Sequence, residues 1–310
     1  MKQLPNMIQL HVQRKIAIVT IGFFMMMNMV ANAQINPSPS QYFGNRLFQN
    51  VSATGMEKGL RFDAVYRNMT PNTFAGSPVN TLASIQGGLN DRSGVGMQFQ
   101  NERAGLLNRS RMALSYALDL SKGETRVRLG VGVGMMMTRV NTNNGNLLRG
   151  EMNDPTLAAF NQNRVKIDGT IGMLVETKKG WEIMAALPSL GTVQEFKSYN
   201  AIDYIIANAM VSKKIKLSKD EQGEVFLQPM LGYRLMQGVE DVLDAGAMLK
   251  YKNLINFLAI YHSNKEMALG VGIPFKDKLS VNFTYNTGKV YTKNYLNVGG
   301  TLEAHLMYRF

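Results

Sequence analysis

The stretch Asn297–Phe310, NVGGTLEAHLMYRF, decides the fold. At a spacing of two, Leu302, Ala304, Leu306, Tyr308 and Phe310 fall on one face. Thr301, Glu303, His305 and Arg309 fall on the other, interrupted only by Met307. Successive side chains of a strand point to opposite faces, so one side can lie against hydrocarbon while the other carries charge. An amphipathic last strand ending in an aromatic residue is what outer-membrane β-barrels present to the barrel assembly machinery. Tyr308 and Phe310 are expected to carry that insertion signal.

Working back from this strand, the same alternation recurs. Leu60, Phe62, Ala64 and Tyr66 alternate with Arg61, Asp63 and Arg67. Val95, Met97 and Phe99 alternate with Gly94, Gly96 and Gln98, and Met112 to Leu120 repeats the pattern. It is clearest over Arg126–Met137, where Val127, Leu129, Val131, Val133 and Met135 oppose Arg126, Arg128, Gly130, Gly132 and Gly134. Glycine and arginine opposite branched aliphatics make a poor globular core but a good barrel wall, with lipid outside and a crowded polar lumen inside. Weaker alternation runs through 165–178, 181–190, 203–217 and 224–237, and firmer alternation through four segments between Ala245 and Tyr285. The expected fold is all-β, a single antiparallel transmembrane β-barrel of about 14 strands over residues 59–310.

Residues 1–33 read as a cleaved signal peptide. Arg14-Lys15 precede the apolar run Ile16–Val30, and Ala31-Asn32-Ala33 supplies the small-residue cleavage site. A run of this length is short for a membrane helix. Residues 34–58, with Pro37 and Pro39, read as an irregular periplasmic N-terminal segment able to plug or cap the barrel. The long polar connector 141–163 reads as a surface loop.

Composition narrows the chemistry. The chain has no Cys, which excludes disulfides, thiolate metal sites and cysteine nucleophiles. Its three histidines are His11, His262 and His305, and the first lies in the leader, so no metal site is expected. Losing Lys2, Arg14 and Lys15 with the leader lowers the net charge from +12 to +9. No Lys/Arg run is interleaved with aromatics, so nucleic acid is not an expected partner.

Several stretches together resemble the PorP/SprF family, outer-membrane proteins of the type IX secretion and gliding apparatus of Bacteroidota. Ser40-Gln41-Tyr42-Phe43 is similar to the family's opening segment, and Val65-Tyr66-Arg67-Asn68 to its following strand end. GVGMQFQNERAG (94–105) is similar to its glycine-alternating strand and loop, Ser115-Tyr116-Ala117 to the next strand, and GTLEAHLMYRF (300–310) to the closing strand. Asn50-Val51-Ser52-Ala53 departs from the family's asparagine-proline-alanine, Glu102 stands for its usual acidic residue, and Thr301-Leu302 replace a Ser-His pair. The resemblance implies a non-enzymatic barrel without cofactors, embedded in outer-membrane lipid. Its implied partners are periplasmic type IX secretion ring proteins or peptidoglycan-binding lipoproteins, or a surface adhesin whose export and attachment it supports.

Other readings compete. A passive outer-membrane channel would need an open lumen. A barrel lipid deacylase is suggested by His262-Ser263 within YHSN. Adjacent strand residues point to opposite faces, which is wrong for a Ser–His pair, and His262 reads as a strand-end lumen or interface residue. Gly130-Val131-Gly132-Val133-Gly134 lacks the strand-turn-helix setting of a phosphate loop. No catalytic, cofactor-binding or metal residues are expected. A lumen charge network of Arg67, Asp119, Arg126, Arg128, Glu303, His305 and Arg309 is the one constellation these strands offer, and lumen charges need partners away from lipid.

Overall fold

A computed structural model describes residues 42–57, 59–69, 77–121, 123–140, 165–190, 204–220, 223–237, 240–275, 278–287 and 300–310. The leader 1–33 and the connector 141–163 lie outside the described residues. Fifteen strands follow two short 3-10 turns, Arg46–Phe48 and Val51–Ala53. The strands are β1 (Leu60–Met69), β2 (Val79–Gly88), β3 (Ser93–Ala104), β4 (Leu107–Asp119), β5 (Arg126–Val140), β6 (Lys166–Glu176) and β7 (Trp181–Leu187). They continue with β8 (Tyr204–Lys213), β9 (Ile215–Asp220), β10 (Gly223–Gln237), β11 (Val242–Tyr251), β12 (Ile255–His262), β13 (Met267–Phe275), β14 (Leu279–Asn286) and β15 (Thr301–Arg309).

Each strand pairs antiparallel with its chain neighbour, and β15 returns to β1, so the sheet is a closed barrel. Closure satisfies every strand's backbone groups inside the sheet, which the bilayer requires. β8 and β9 both pair with β10 and act as one stave, giving 14 staves in all. The break falls at Lys214, whose N–H bonds instead to the Gly180 carbonyl in the β6–β7 turn at 2.8 Å. This explains why the sequence reads as one segment through 203–217: the alternation is continuous, and only a neighbouring turn interrupts the ladder.

The alternating faces separate as the pattern demands. Val131 is 54% exposed and Phe310 65%, whereas Arg67 is 1% exposed and Glu303 2%. Tyr308 and Phe310 both face outward and meet edge to face, with ring centroids 4.9 Å apart. The closing seam sets Arg67 opposite Glu303 and Val65 opposite His305, and the Phe310 N–H bonds to the Leu60 carbonyl at 2.9 Å. Part of the interior is apolar: Leu174, Met184, Met210, Met230 and Ile260 form a buried cluster with Tyr42 and Ala53.

The two barrel ends differ. At the end where β1 begins and β15 finishes, hairpins are short, spanning 89–92, 120–125, 177–180, 221–222, 252–254 and 276–278. At the far end lie the long connectors 141–165, 188–203 and 287–300.

Candidate functional site

The most heavily built feature of this barrel is its lumen, which residues 42–57 enter. Asn45 and Asn50 start the two 3-10 turns as N-caps, their side chains accepting from the Leu47 and Ser52 N–H groups. The second turn lies against β4, β5 and β6.

The wall makes room for it with a row of small residues. Cross-strand register aligns Gly94, Ala117, Gly130, Gly172 and Ala186 across β3 to β7. A Cβ on Gly130 would lie 2.5 Å from the Ser52 Cα and the Val51 carbonyl carbon. One on Gly94 would lie 2.5 Å from the Thr54 oxygen. Backbone thus packs directly on backbone, a close approach that only glycine permits.

Polar anchors surround this row. Arg128 donates from Nε to the Ser52 carbonyl at 3.0 Å and from Nη2 to the Thr54 carbonyl at 2.6 Å. Asn50 Nδ2 donates to the wall carbonyls of Met173 and Ala185 at 2.8 and 3.0 Å. Asn208 Nδ2 donates to the Gln49 carbonyl, Gln98 Nε2 to that of Leu47, and Gln86 Oε1 accepts from the Gly55 N–H. Arg61 Nη2 bonds the Gly44 carbonyl at 2.6 Å, and Arg46 lies 3.1 Å from both Glu176 and Glu182. Tyr42 donates its hydroxyl proton to Asp244. The segment is tied to staves around most of the barrel, so it is held as a plug.

Arg128→Lys is expected to loosen this plug. A lysine cannot reproduce the planar fork that reaches two carbonyls at once, and losing a charge-assisted bond costs about 1.5–3 kcal/mol. Hydrogen exchange at the Ser52–Gly55 amides should accelerate roughly tenfold or more; unchanged protection would show that Arg128 is not an anchor.

The seven charged residues expected to share a lumen network are divided by the barrel into separate groups. Arg126 pairs with Asp119 at 2.8 Å, and Arg128 stands 3.8 Å from the same carboxylate, on β4 and β5. Arg67 and Glu303 face each other at 3.9 Å across the seam. His305 Nε2 meets Asp63 at 2.8 Å, and Asp63 also takes Arg61. Arg309 pairs with Glu57 of the plug. Register fixes this division, because β4–β5 and β15–β1 lie on different parts of the wall.

Sequence reasoning missed the tightest cluster. Asp244 accepts from Arg234 Nε at 2.7 Å and Nη2 at 2.8 Å, and also contacts His262 Nδ1 and the Tyr42 hydroxyl. All four side chains are buried. Asp244 sits at a buried, inward-facing position of β11, but its partners come from β10, β12 and the plug. His262 and Ser263 do not cooperate: the Ser263 Oγ accepts from the Leu243 N–H at 3.0 Å, while His262 faces inward to Asp244.

On the side opposite the small-residue row, a cavity of about 230 Å³ remains between Phe43-Gly44 and staves β11 to β15. Arg61, Lys250, Asn256, Asn282, His305 and Arg309 are among its lining residues. Lys250, Asn256, Pro274, Leu279 and Arg309 of its lining lie within two residues of the strand ends at the terminal end of the barrel, and it opens there.

Solved outer-membrane proteins are similar to this chain. The outer-membrane protein Omp33 of Acinetobacter baumannii is similar over 83% of this chain and 100% of its own, with 6% identity and a TM-score of 0.50. The toluene transporter TbuX of Ralstonia pickettii is similar over 91% of this chain and 96% of its own, with 14% identity and a TM-score of 0.48. No curated protein matches. A model of the type IX secretion system membrane protein family PorP/SprF matches residues 31–308. The chain therefore belongs to the PorP/SprF family and is an outer-membrane β-barrel component of the type IX secretion system.

Proposed function

We propose that this protein is a plugged, non-enzymatic anchor that fixes periplasmic components of the secretion machinery to the outer membrane. The observation that carries the reading is the lumen: residues 42–57 occupy it and are bonded to staves from β1 to β11. A diffusion channel needs open space along its axis, and here buried Arg67, Arg128, Arg234 and Glu303 fill the wall's inner face beside the plug. A hydrolytic barrel needs a serine with a base in hydrogen-bond reach, and Ser263 is engaged with backbone instead. Short turns are the periplasmic side of such barrels and long loops the outer side. That assigns the termini, the plug entrance and the cavity mouth to the periplasm, and the 141–165 connector to the outside. In the same reading residues 1–33 direct export and are removed, and outward-facing Tyr308 and Phe310 form the insertion signal.

The test is a mild-detergent pull-down of the tagged protein from its native outer membrane, with partners identified by mass spectrometry. Periplasmic ring proteins or peptidoglycan-binding lipoproteins should be recovered. Recovery with a large surface adhesin and nothing periplasmic would shift the reading to adhesin support, and the barrel alone would sink both. In planar bilayers the purified protein should be electrically silent; steady conductance by the intact chain would restore the channel reading.

A further inference from the structure

The cavity between the plug and staves β11 to β15 has a chemistry of its own. Its charged lining is Lys250, Arg61 and Arg309 against a single acid, Glu57. Asp63 and Glu57 take Arg61, and Glu57 also takes Arg309. The Lys250 side chain forms no ion pair and no hydrogen bond with any described residue. One cationic charge is left over in a space walled by protein.

Neutral polar groups point the same way. Thr284 is only 3% exposed, lines the cavity, and its Oγ1 has no hydrogen-bond partner. The Asn256 Oδ1 on the adjoining wall is likewise buried without a partner, and as an acceptor it suits a peptide N–H rather than the carboxylate. Buried polar atoms are normally satisfied, so these two leave a hydroxyl and an acceptor open to an entering group. His305 presents Nε2 to Asp63, and its Nδ1 lies 3.0 Å from the Asn282 Nδ2, which keeps that wall rigid. Phe43, Leu258 and Met307 supply apolar surface beside the donors.

We propose that this cavity is a socket for an acidic peptide segment of a periplasmic partner, which inserts one carboxylate against Lys250. The volume is below the range typical of drug-sized ligands, so it suits a side chain or chain end. Apolar wall beside an ammonium favours a peptide, which brings aliphatic stem and carboxylate together, over a free inorganic anion. Lys278, exposed on the turn before β14, extends the positive field to residues beside the inserted one and speeds encounter. The proposal rests on the anchoring reading, and in particular on the mouth facing the periplasm.

The test uses the purified full-length barrel in nanodiscs and a fluorescein-labelled pentaglutamate peptide, with pentaglutamine as control. Pentaglutamate should bind, with affinity falling as salt is raised, and pentaglutamine should not. Lys250→Glu should weaken binding at least tenfold with an unchanged melting temperature, and Thr284→Val should weaken it less. Equal binding of the two peptides, or no effect of Lys250→Glu, overturns the socket. Tighter binding of a muropeptide than of pentaglutamate also overturns it, because the site would then serve the cell wall. If Lys250→Glu fails to bind peptide yet still recovers the periplasmic complex from membranes, the socket is not the anchor, while the anchoring reading stands.

Discussion

Gly130→Leu should yield a barrel that assembles normally and expels its own plug. Leucine suits a strand better than glycine does, and the substitution leaves the lipid-facing side of β5 untouched. Its Cβ, however, would lie 2.5 Å from the Ser52 Cα. Neither partner is a flexible side-chain end, so the overlap cannot be relieved by a rotamer change. The cost should reach about 3 kcal/mol at least, the upper part of the overpacking range. Gly172, directly opposite on β6, is itself occupied by Asn50 and cannot yield. Heat-modifiable migration on SDS gels should therefore stay as in the parent chain, while trypsin gains access to Arg46 and bilayer conductance appears. Val131→Leu, one residue away on the lipid face, should change none of these. Continued protection of Arg46 together with a silent bilayer would show that the small-residue row does not hold the plug.

The largest loss of stability is expected from Asp244→Ala. It takes the bidentate carboxylate away from Arg234, which is 0% exposed, and removes the acceptor shared by His262 and Tyr42. Breaking one side of a buried ion pair costs about 3–5 kcal/mol, because the remaining charge is left without compensation. Urea unfolding of the refolded barrel in detergent should register that loss in its midpoint. Adding Arg234→Met should restore most of it, since an apolar pair of similar volume tolerates burial. Tyr42→Phe should cost about 1 kcal/mol, the worth of one hydrogen bond. A loss below about 1 kcal/mol for Asp244→Ala would contradict this account, as would a double variant no better than the single.

These two residues also mark the boundary of what can be read from the chain. Period-two alternation is a property of consecutive residues, so Val127 to Met135 and Leu302 to Phe310 declared an outward apolar face directly. Fourteen staves followed from repeating that pattern between turn residues. The glycines at 130, 132 and 134 were equally visible, but their reason was not. It lies in register, which brings Gly94, Ala117, Gly130, Gly172 and Ala186 into one row beneath residues 50–55.

Charge pairing was hidden for the same cause. Arg67, Asp119, Arg128, Glu303 and His305 could each be assigned to the inner face, yet which of them meet depends on strand order and stagger around the closed wall. Asp244 found its partners ten, eighteen and about two hundred residues away. The sequence by itself determined the barrel, its lipid-facing side and its family, because these depend on local alternation and on short ordered motifs. Only the tertiary structure decided that the lumen is filled by residues 42–57 and where the cavity beside Lys250 opens, because non-local contacts are fixed by closure and register rather than by neighbours in the chain.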